Sequence, residues 1–177
     1  MPSLVNSTVS HYEILAELGR GGMGIVYKAR DVRLDRLAAL KFLAPQWTQD
    51  KLAKERFVRE AQSAAATEHT NICNVYEIDE TDDGQLFIAM AYYEGQTLKQ
   101  IIAEGPVDLG DALLFAAQTA EGLGRAHEKG VVHRDVKPGN IIVVENKTVK
   151  VLDFGIAKLS GSAELTQTGS TVGTVAY

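Results

Sequence analysis

Three glycines near the start of the chain have the spacing of a phosphate-binding turn. Gly19, Gly21 and Gly24 fit the pattern G-x-G-x-x-G-x-V, which ends at Val26. A turn without side chains lets backbone N–H groups lie close to the phosphates of a nucleotide. The pattern is weak evidence by itself, because dinucleotide-binding turns and ordinary glycine-rich hairpins also contain it. A dinucleotide-binding turn must open a helix, however, whereas the residues after Gly24 are β-branched and aromatic, which favours a strand.

Other residues with chemical potential follow in order along the chain. Lys41 ends the segment Ala-Ala-Leu-Lys, and a lysine inside an apolar strand needs a buried partner. Residues 133–140 read His-Arg-Asp-Val-Lys-Pro-Gly-Asn, and residues 153–155 read Asp-Phe-Gly. These segments bring two carboxylates, a lysine and a carboxamide into short polar stretches next to apolar ones.

The elements that must position these residues can be predicted from periodicity. Ile14, Ala16 and Leu18 alternate with other residues, a pattern typical of a half-buried strand that ends at Gly19. Two more strands are expected at 25–27 and 37–43, an amphipathic helix within 50–67, and two strands at 75–78 and 86–90. The first half of the chain is therefore predicted to be a small, mostly antiparallel sheet with one main helix.

The second half is predicted to be mostly helical. Between Val107 and Lys129, one helical stripe recurs at spacings of four and three, formed by Leu109, Leu113, Ala116, Ala120, Leu123 and His127. This stripe is expected to belong to the core of a second lobe. Short strands are expected at 141–144 and 149–152, followed by a loop rich in Gly, Ser and Thr over 160–174.

In this order, the motifs resemble the signature set of protein kinases, with closest similarity to bacterial eukaryotic-like serine/threonine kinases of signalling pathways. The resemblance runs from Tyr12 to Tyr177. It implies an α+β, protein-kinase-like fold with a complete antiparallel-sheet N-lobe at 12–90, after an extension at 1–11. A hinge at 91–95 and a truncated, mostly helical C-lobe at 96–177 would follow, ending within the activation segment. The implied activity is transfer of the γ-phosphoryl group of ATP to Ser or Thr of proteins, with Mg²⁺ as cofactor.

The resemblance implies four catalytic residues. Asp135 is the expected base that accepts the hydroxyl proton of the substrate, and Lys137 is expected to neutralise the transferred phosphate. Lys41 is expected to supply a second cation for the phosphates of ATP. Its expected partner is Glu60 on the predicted helix, and Glu55 on the same helix is the alternative.

The resemblance also implies a metal site and a nucleotide site. Asp153 is the expected magnesium ligand, because this cation prefers oxygen donors, and Asn140 is expected to hold a second metal ion. His133 is expected to be a packing and backbone-anchoring residue. The residues expected to bind ATP form the glycine-rich turn, the adenine slot, the linker and the ribose contact: Leu18, Gly19, Arg20, Gly21, Gly22, Met23, Gly24, Val26, Ala39, Lys41, Met90, Ala91, Tyr93, Thr97 and Ile142.

A regulatory role is implied for the polar loop near the end of the chain. Arg134 directly precedes Asp135, which in this family marks kinases whose activation loop is ordered by phosphate on Ser or Thr. Thr166 and Thr168 match the commonly phosphorylated positions and are the candidate phosphorylation sites. The composition alone is equally compatible with a polar loop that carries no modification.

The chain stops at Tyr177, before the Pro-Glu segment and the helices that form the base of the family's large lobe. We therefore expect a fragment of a longer kinase, in which the stripe on the 107–129 helix is left exposed. Two function classes stay open. The chain is either the front part of an active serine/threonine kinase or a nucleotide-binding or interaction module that is catalytically incompetent because its C-lobe is incomplete.

Composition narrows the range of partners. With 18 basic and 23 acidic residues, the net charge of -5 argues against nucleic acid as a partner. The single cysteine, Cys73, cannot form an internal disulfide, and no apolar run reaches the ~18 residues that span a bilayer. We expect a cytoplasmic segment without membrane contact that binds ATP and protein substrates. A kinase dimer and a membrane anchor elsewhere in the parent protein stay open.

Overall fold

The computed structural model describes residues 3–21, 24–44, 54–55, 58–59, 61–62 and 65–154. The chain divides into two compact units. The first unit comprises Met1–Val58 and Asn74–Tyr92, and the second comprises Arg59–Cys73 and Tyr93–Tyr177. The structural division therefore groups 59–73 with the second unit, while the lobe and hinge boundaries given above stay predictions.

The first unit is built on one antiparallel sheet. Its strands are β1 (Thr8–Val9), β2 (Tyr12–Gly21), β3 (Gly24–Asp31), β4 (Arg36–Leu43), β5 (Val75–Glu80) and β6 (Leu86–Ala91). Their order across the sheet is β1-β2-β3-β4-β6-β5, and every neighbouring pair is antiparallel. The five strands predicted from the sequence are confirmed, whereas β1 was not predicted because two residues are too few to show a period.

One face of this sheet carries an aromatic core. The rings of Tyr27 and Phe42 meet edge to face at 5.6 Å between centroids, and Phe42 lies 5.4 Å from Phe87. Tyr12 contacts Phe87 edge to face at 6.3 Å. Because side chains alternate along a strand, this packing directs residues 39, 41 and 43 of β4 to the opposite face.

The helix predicted within residues 50–67 is confirmed for the part that the structure describes. Residues 54–55, 58–59, 61–62 and 65 are helical. Ala61 is buried at 3% exposure, in agreement with the predicted apolar side of this helix. Glu60 and Phe57 lie outside the described residues.

Besides the helical residues 59, 61–62 and 65, the described part of the second unit contains a small sheet and two helices. Its elements are β7 (Gly95–Thr97), α1 (Leu98–Glu104), α2 (Leu109–Glu128), β8 (Ile141–Val144) and β9 (Thr148–Val151), with 3₁₀ turns at Pro138–Asn140 and Glu145–Lys147. The sheet has the order β7-β8-β9 and is antiparallel. Neither these helices nor any other described part of the chain provides a helix long and apolar enough to cross a membrane.

Helix α2 has a capped N-terminus, one exposed face and one buried face. The Asp108 side chain caps its first turn by accepting the N–H groups of Gly110 and Asp111. The stripe expected to be exposed is exposed at Leu109 and Leu113, which have 73% and 63% of their surface accessible, whereas Leu123 of the same stripe is partly buried against the core. The buried face is a different one, formed by Phe115, Thr119, Gly122 and Ala126.

Candidate active site

Lys41 lies in the middle of β4 and is 5% exposed. The register places it directly opposite Val26 on β3 and Ile88 on β6. Opposite residues of antiparallel strands share a face of the sheet, and Ala39, two residues earlier, lies opposite Met90 on that same face. The sheet therefore brings together four residues that were predicted to bind ATP.

The partner of the Lys41 ammonium group stays a prediction. A buried cation requires a compensating charge or hydrogen bonds, because its desolvation costs several kcal/mol. Glu60 lies outside the described residues. The alternative, Glu55, is described and has an exposed side chain.

The glycine-rich turn connects β2 to β3. Its glycines differ in whether the surrounding structure leaves room for a side chain. Gly24 has a φ of +136°, and a Cβ built on it would lie 1.8 Å from the carbonyl oxygen of Phe42. Only glycine fits that position. A Cβ on Gly19 or Gly21 would meet no atom within 4 Å, so the described packing does not require glycine there. Gly22 and Met23 lie outside the described residues.

Arg20 and Leu18 flank these glycines and are placed differently. Arg20 points away from the face that carries Lys41, and Leu18 lies at a β-bulge. Arg20 lies opposite Ile25, which belongs to the aromatic core side of the sheet, and its Nη2 and Nε donate to Glu17 at 2.8 and 3.1 Å. Its side chain therefore extends from the face opposite Lys41. Leu18 lies where the register between β2 and β3 shifts, and it is 48% exposed.

The predicted linker and ribose residues are also placed by strand pairing. In the first unit, the N–H of Ala91 donates to the carbonyl oxygen of Asn74 at 2.9 Å. In the second unit, Thr97 on β7 lies directly opposite Ile142 on β8. Thr97 also caps α1 by accepting the N–H of Gln100, a role that sequence reasoning missed. Tyr93 packs beneath the ammonium group of Lys150, 4.9 Å from its ring centroid.

A hydrogen-bonded cluster joins three of the predicted catalytic and metal residues. Lys137 Nζ lies 2.5 Å from Asp135 Oδ2. Asn140 Nδ2 donates to the same carboxylate oxygen at 3.0 Å and to the Asp135 carbonyl oxygen at 2.9 Å. The Asp135 side chain is 12% exposed, so a nearby ammonium group and an amide donor compensate its desolvation. The carboxylate is thereby held in one orientation.

His133 anchors this cluster to the chain after β9. Its Nδ1 accepts the N–H of Asp135 at 3.2 Å, so Nε2 carries the proton and donates to the carbonyl oxygen of Leu152 at 2.6 Å. The ring is 1% exposed and meets Phe154 edge to face. Burial lowers the pKa of His133 below its ordinary value of 6.5, which keeps the ring neutral. These contacts agree with the predicted structural role.

The side chains of Asn140 and Asp153 carry oxygen donors, the ligand type that Mg²⁺ prefers. The Nδ2 of Asn140 donates to Asp135, so Oδ1 is the atom that this side chain would offer to a cation. The carbonyl oxygen of Asn140 accepts the N–H of Leu152 at 2.8 Å, one residue before the half-buried Asp153. The described residues contain no group of three His, Cys, Asp or Glu side chains that could hold a metal. Two protein donors suit Mg²⁺, which completes its shell with water and phosphate oxygens.

Arg134 and Asp153 both have backbone conformations that are unusual for side-chain-bearing residues. Their φ angles are +68° and +58°. Such residues cost of order 1–3 kcal/mol and persist where surrounding contacts fix them. The predicted phosphorylation sites Thr166 and Thr168 lie outside the described residues.

Sequence reasoning missed two residues that contact β9. Asn71 and Gln118 both hydrogen-bond to the backbone of Val149. No local pattern marks them, since each is a single polar residue and the two are 47 positions apart.

The fold and the site can be compared with those of known proteins. Residues 12–177 match the protein kinase domain family. The chain is 42% identical over 176 residues to the serine/threonine-protein kinase PrkC of Bacillus subtilis, an alignment that covers 98% of this chain and 27% of PrkC. It is 42% identical over 171 residues to the serine/threonine-protein kinase PknB of Mycobacterium leprae, covering 94% of this chain and 28% of PknB. The crystal structure of the Mycobacterium tuberculosis PknI kinase domain superposes with a TM-score of 0.78 at 34% identity, covering 86% of this chain and 61% of that one.

These similarities define the class of protein. The chain belongs to the protein kinase domain family, and its fold is α+β and kinase-like. Its curated relatives are serine/threonine protein kinases of bacteria, as the sequence motifs predicted. The chain spans about a quarter of the length of these relatives.

Proposed function

We propose that this chain carries the nucleotide-binding and phosphoryl-transfer residues of a serine/threonine protein kinase. The reaction moves the γ-phosphoryl group of ATP to a Ser or Thr hydroxyl of a protein substrate, and ADP and a proton are released. The observation that supports it best is the cluster in which Lys137 and Asn140 hold the carboxylate of Asp135.

Asp135 would orient the substrate hydroxyl. Its carboxylate accepts the hydroxyl hydrogen while the hydroxyl oxygen forms a bond to the γ-phosphorus and the bond to the β,γ-bridging oxygen breaks. Lys137 lies at the same carboxylate oxygen, so its ammonium group would also contact the transferred phosphoryl group and balance its negative charge. Phosphoryl transfer depends mainly on such positioning and charge, which this cluster supplies.

The other cations would act on ATP itself. Lys41 would hold the phosphates, with Glu60 as its partner, and the open space over Gly19 and Gly21 would let backbone N–H groups approach them. Asn140 and Asp153 would hold Mg²⁺ ions, which would supply positive charge against the negative charge that develops on the phosphates. Arg20 would contribute through its backbone, because its side chain is paired with Glu17.

The adenine and ribose contacts are proposed from the same residues that the sequence singled out. Leu18, Val26, Ala39 and Met90 would provide apolar contact on the first unit. Ala91 would contribute its carbonyl group, because its N–H is donated to Asn74. Tyr93, Thr97 and Ile142 are proposed as further nucleotide contacts from their positions in the sequence motifs. Phosphate on Thr166 or Thr168 would pair with Arg134.

The test uses the complete gene product with ATP and Mg²⁺. Wild-type protein should bind the nucleotide in a magnesium-dependent way and produce phosphoserine or phosphothreonine, detected by mass spectrometry. Lys41→Met should weaken nucleotide binding and transfer, and Asp153→Asn should abolish the magnesium dependence. Lys99→Met, which alters an exposed lysine on α1, is the matched control and should leave both unchanged. A wild-type protein that binds no nucleotide would overturn the proposal.

A further inference from the structure

Strand β9 is the edge of its sheet, yet its outward-facing backbone groups are bonded. The N–H of Val149 donates to Gln118 Oε1 at 2.9 Å, and its carbonyl oxygen accepts Asn71 Nδ2 at 2.9 Å. The N–H of Val151 donates to the carbonyl oxygen of Asn71 at 2.8 Å, and its own carbonyl oxygen accepts the N–H of Cys73 at 2.9 Å. An edge strand normally leaves these groups to solvent. Here two side chains and one short segment take the place of a neighbouring strand.

Asn71 and Gln118 also hold each other. Asn71 Nδ2 donates to Gln118 Oε1 at 2.9 Å, and Gln118 Nε2 donates to the carbonyl oxygen of Lys147 at 2.9 Å. Asn71 is 4% exposed. Gly122, one turn after Gln118 on α2, lies so close that a Cβ on it would be 3.1 Å from the carbonyl oxygen of Asn71. Helix α2 therefore contacts β9 through a compact set of directed hydrogen bonds.

This strand leads directly to the proposed metal ligand. After Val151, Leu152 is bonded on both backbone groups, to Asn140 at 2.8 Å and to His133 at 2.6 Å. Asp153 is the next residue. A displacement of β9 would therefore move the start of the segment that carries the Asp153 carboxylate.

We propose that Asn71 and Gln118 are positioning residues that fix Asp153 for the magnesium-bound nucleotide. This inference rests on the proposed function. Neither residue touches the nucleotide; both act through the backbone of Val149 and, for Asn71, of Val151. Groups hydrogen-bonded directly to a metal ligand typically change metal affinity by about 10- to 100-fold when they are removed. Asn71 and Gln118 act two to four residues before Asp153, so we expect an effect at the lower end of this range.

The experiment measures nucleotide binding by the complete gene product as Mg²⁺ is titrated. Gln118→Met keeps the length of the side chain but removes its hydrogen bonds, and Asn71→Leu does the same for Asn71. Each should raise the half-saturating Mg²⁺ concentration by about tenfold, while the affinity for ATP in EDTA changes by less than about twofold. Amide hydrogen exchange without metal should show loss of protection at Val149. Glu121→Met, which alters an exposed residue one turn along α2, is the control and should change none of these values.

A folded Gln118→Met protein with an unchanged magnesium requirement would overturn the inference. If Gln118→Met does not fold, Gln118→Glu decides, because it keeps the acceptor for Val149, loses the donor to the Lys147 carbonyl oxygen and sets a carboxylate against that oxygen. It should also raise the half-saturating Mg²⁺ concentration, and no rise would overturn the inference. Failure of the proposed function is distinguishable: a wild-type protein that binds magnesium and ATP but transfers no phosphate defeats that function alone. A wild-type protein that binds no nucleotide defeats both.

Discussion

One amide nitrogen of Asn140 donates to both the carbonyl oxygen and the carboxylate of Asp135, at 2.9 and 3.0 Å. This contact closes the turn between the proposed base and the proposed metal ligand. Because Nδ2 makes both contacts, the proposed metal contact of Asn140 would use its other polar atom, Oδ1. A single side chain would then link the geometry of the proposed base to that of the proposed metal site.

Replacing Asn140 by leucine should damage both stability and transfer. The change leaves the partly buried Asp135 carboxylate without one donor, which should lower the free energy of unfolding by about 1–3 kcal/mol. Loss of one oriented polar group in an active site typically lowers kcat by about 10²- to 10³-fold. Urea unfolding and a phosphate-transfer assay measure the two effects. Gln96→Leu, which removes an exposed amide 2.6 Å from Glu104, should leave both near wild type. Equal behaviour of the two variants would contradict the role given to Asn140.

Alanine substitutions should separate the glycines of the nucleotide turn. Gly24→Ala would place a Cβ 1.8 Å from the Phe42 carbonyl oxygen at a φ of +136°, so the protein should be destabilised by more than about 2 kcal/mol. Gly21→Ala meets no neighbouring atom, so it should unfold like wild type but bind ATP more weakly. Thermal unfolding and nucleotide titration of both variants provide the test. A stable Gly24→Ala protein, or unchanged ATP affinity in Gly21→Ala, would refute the respective half.

For these glycines, the sequence pattern predicted the turn but not which glycine the packing requires. Their spacing predicted the turn, and the alternation of apolar residues predicted the strands β2 and β3 that flank it. The pattern treated all the glycines alike, however. Only the register between β3 and β4 shows that Gly24 is required by the backbone of Phe42, whereas Gly19 and Gly21 face open space. Local spacing carries no information about a strand paired from elsewhere in the sequence.

Stability should fall in mild acid because of His133. Burial lowers its folded-state pKa below 6.5, so the unfolded state binds the proton more readily. Its contribution is fully present above pH 6.5 and is lost as the pH falls from there toward the folded-state value. The slope for one proton is at most about 1.4 kcal/mol per pH unit. Urea unfolding between pH 5 and 8 should show a shallower slope for His133→Gln than for wild type. Identical slopes would show that His133 does not carry this dependence.

Two glycines of α2 should respond in opposite ways to alanine. Gly124 has no atom within 4 Å of a built Cβ, so Gly124→Ala should raise the free energy of unfolding by about 0.5–1 kcal/mol. At Gly122 the same helical gain is offset, because the Cβ approaches the carbonyl oxygen of Asn71 to 3.1 Å. Gly122→Ala should therefore be less stable than Gly124→Ala. Equal gains in urea unfolding would show that the contact between α2 and Asn71 is loose.

For helix α2, the sequence predicted the helix itself but not the face that packs against the core. Its existence and length were predictable from periodicity, whereas the stripe that periodicity assigned to a core is exposed at Leu109 and Leu113. Its packed face was not, because that face includes Thr119 and Gly122, which are small residues that allow close approach and give no apolar signal. The hydrogen bonds of Gln118 and Asn71 to β9 span long sequence separations. The motif residues could be named from the sequence, whereas the residues that support them required the structure.

The most direct test of the account is phosphate transfer by Asp135→Asn. In the complete gene product, this substitution removes the proposed base while Lys41, Asn140 and Asp153 stay in place to hold the nucleotide. The affinity for ATP with Mg²⁺ should stay within about twofold of wild type, while single-turnover transfer of radiolabelled γ-phosphate to a protein rich in Ser and Thr should fall by about 10²- to 10⁴-fold. Transfer at the wild-type rate by Asp135→Asn would contradict the central claim that this carboxylate orients the attacking hydroxyl.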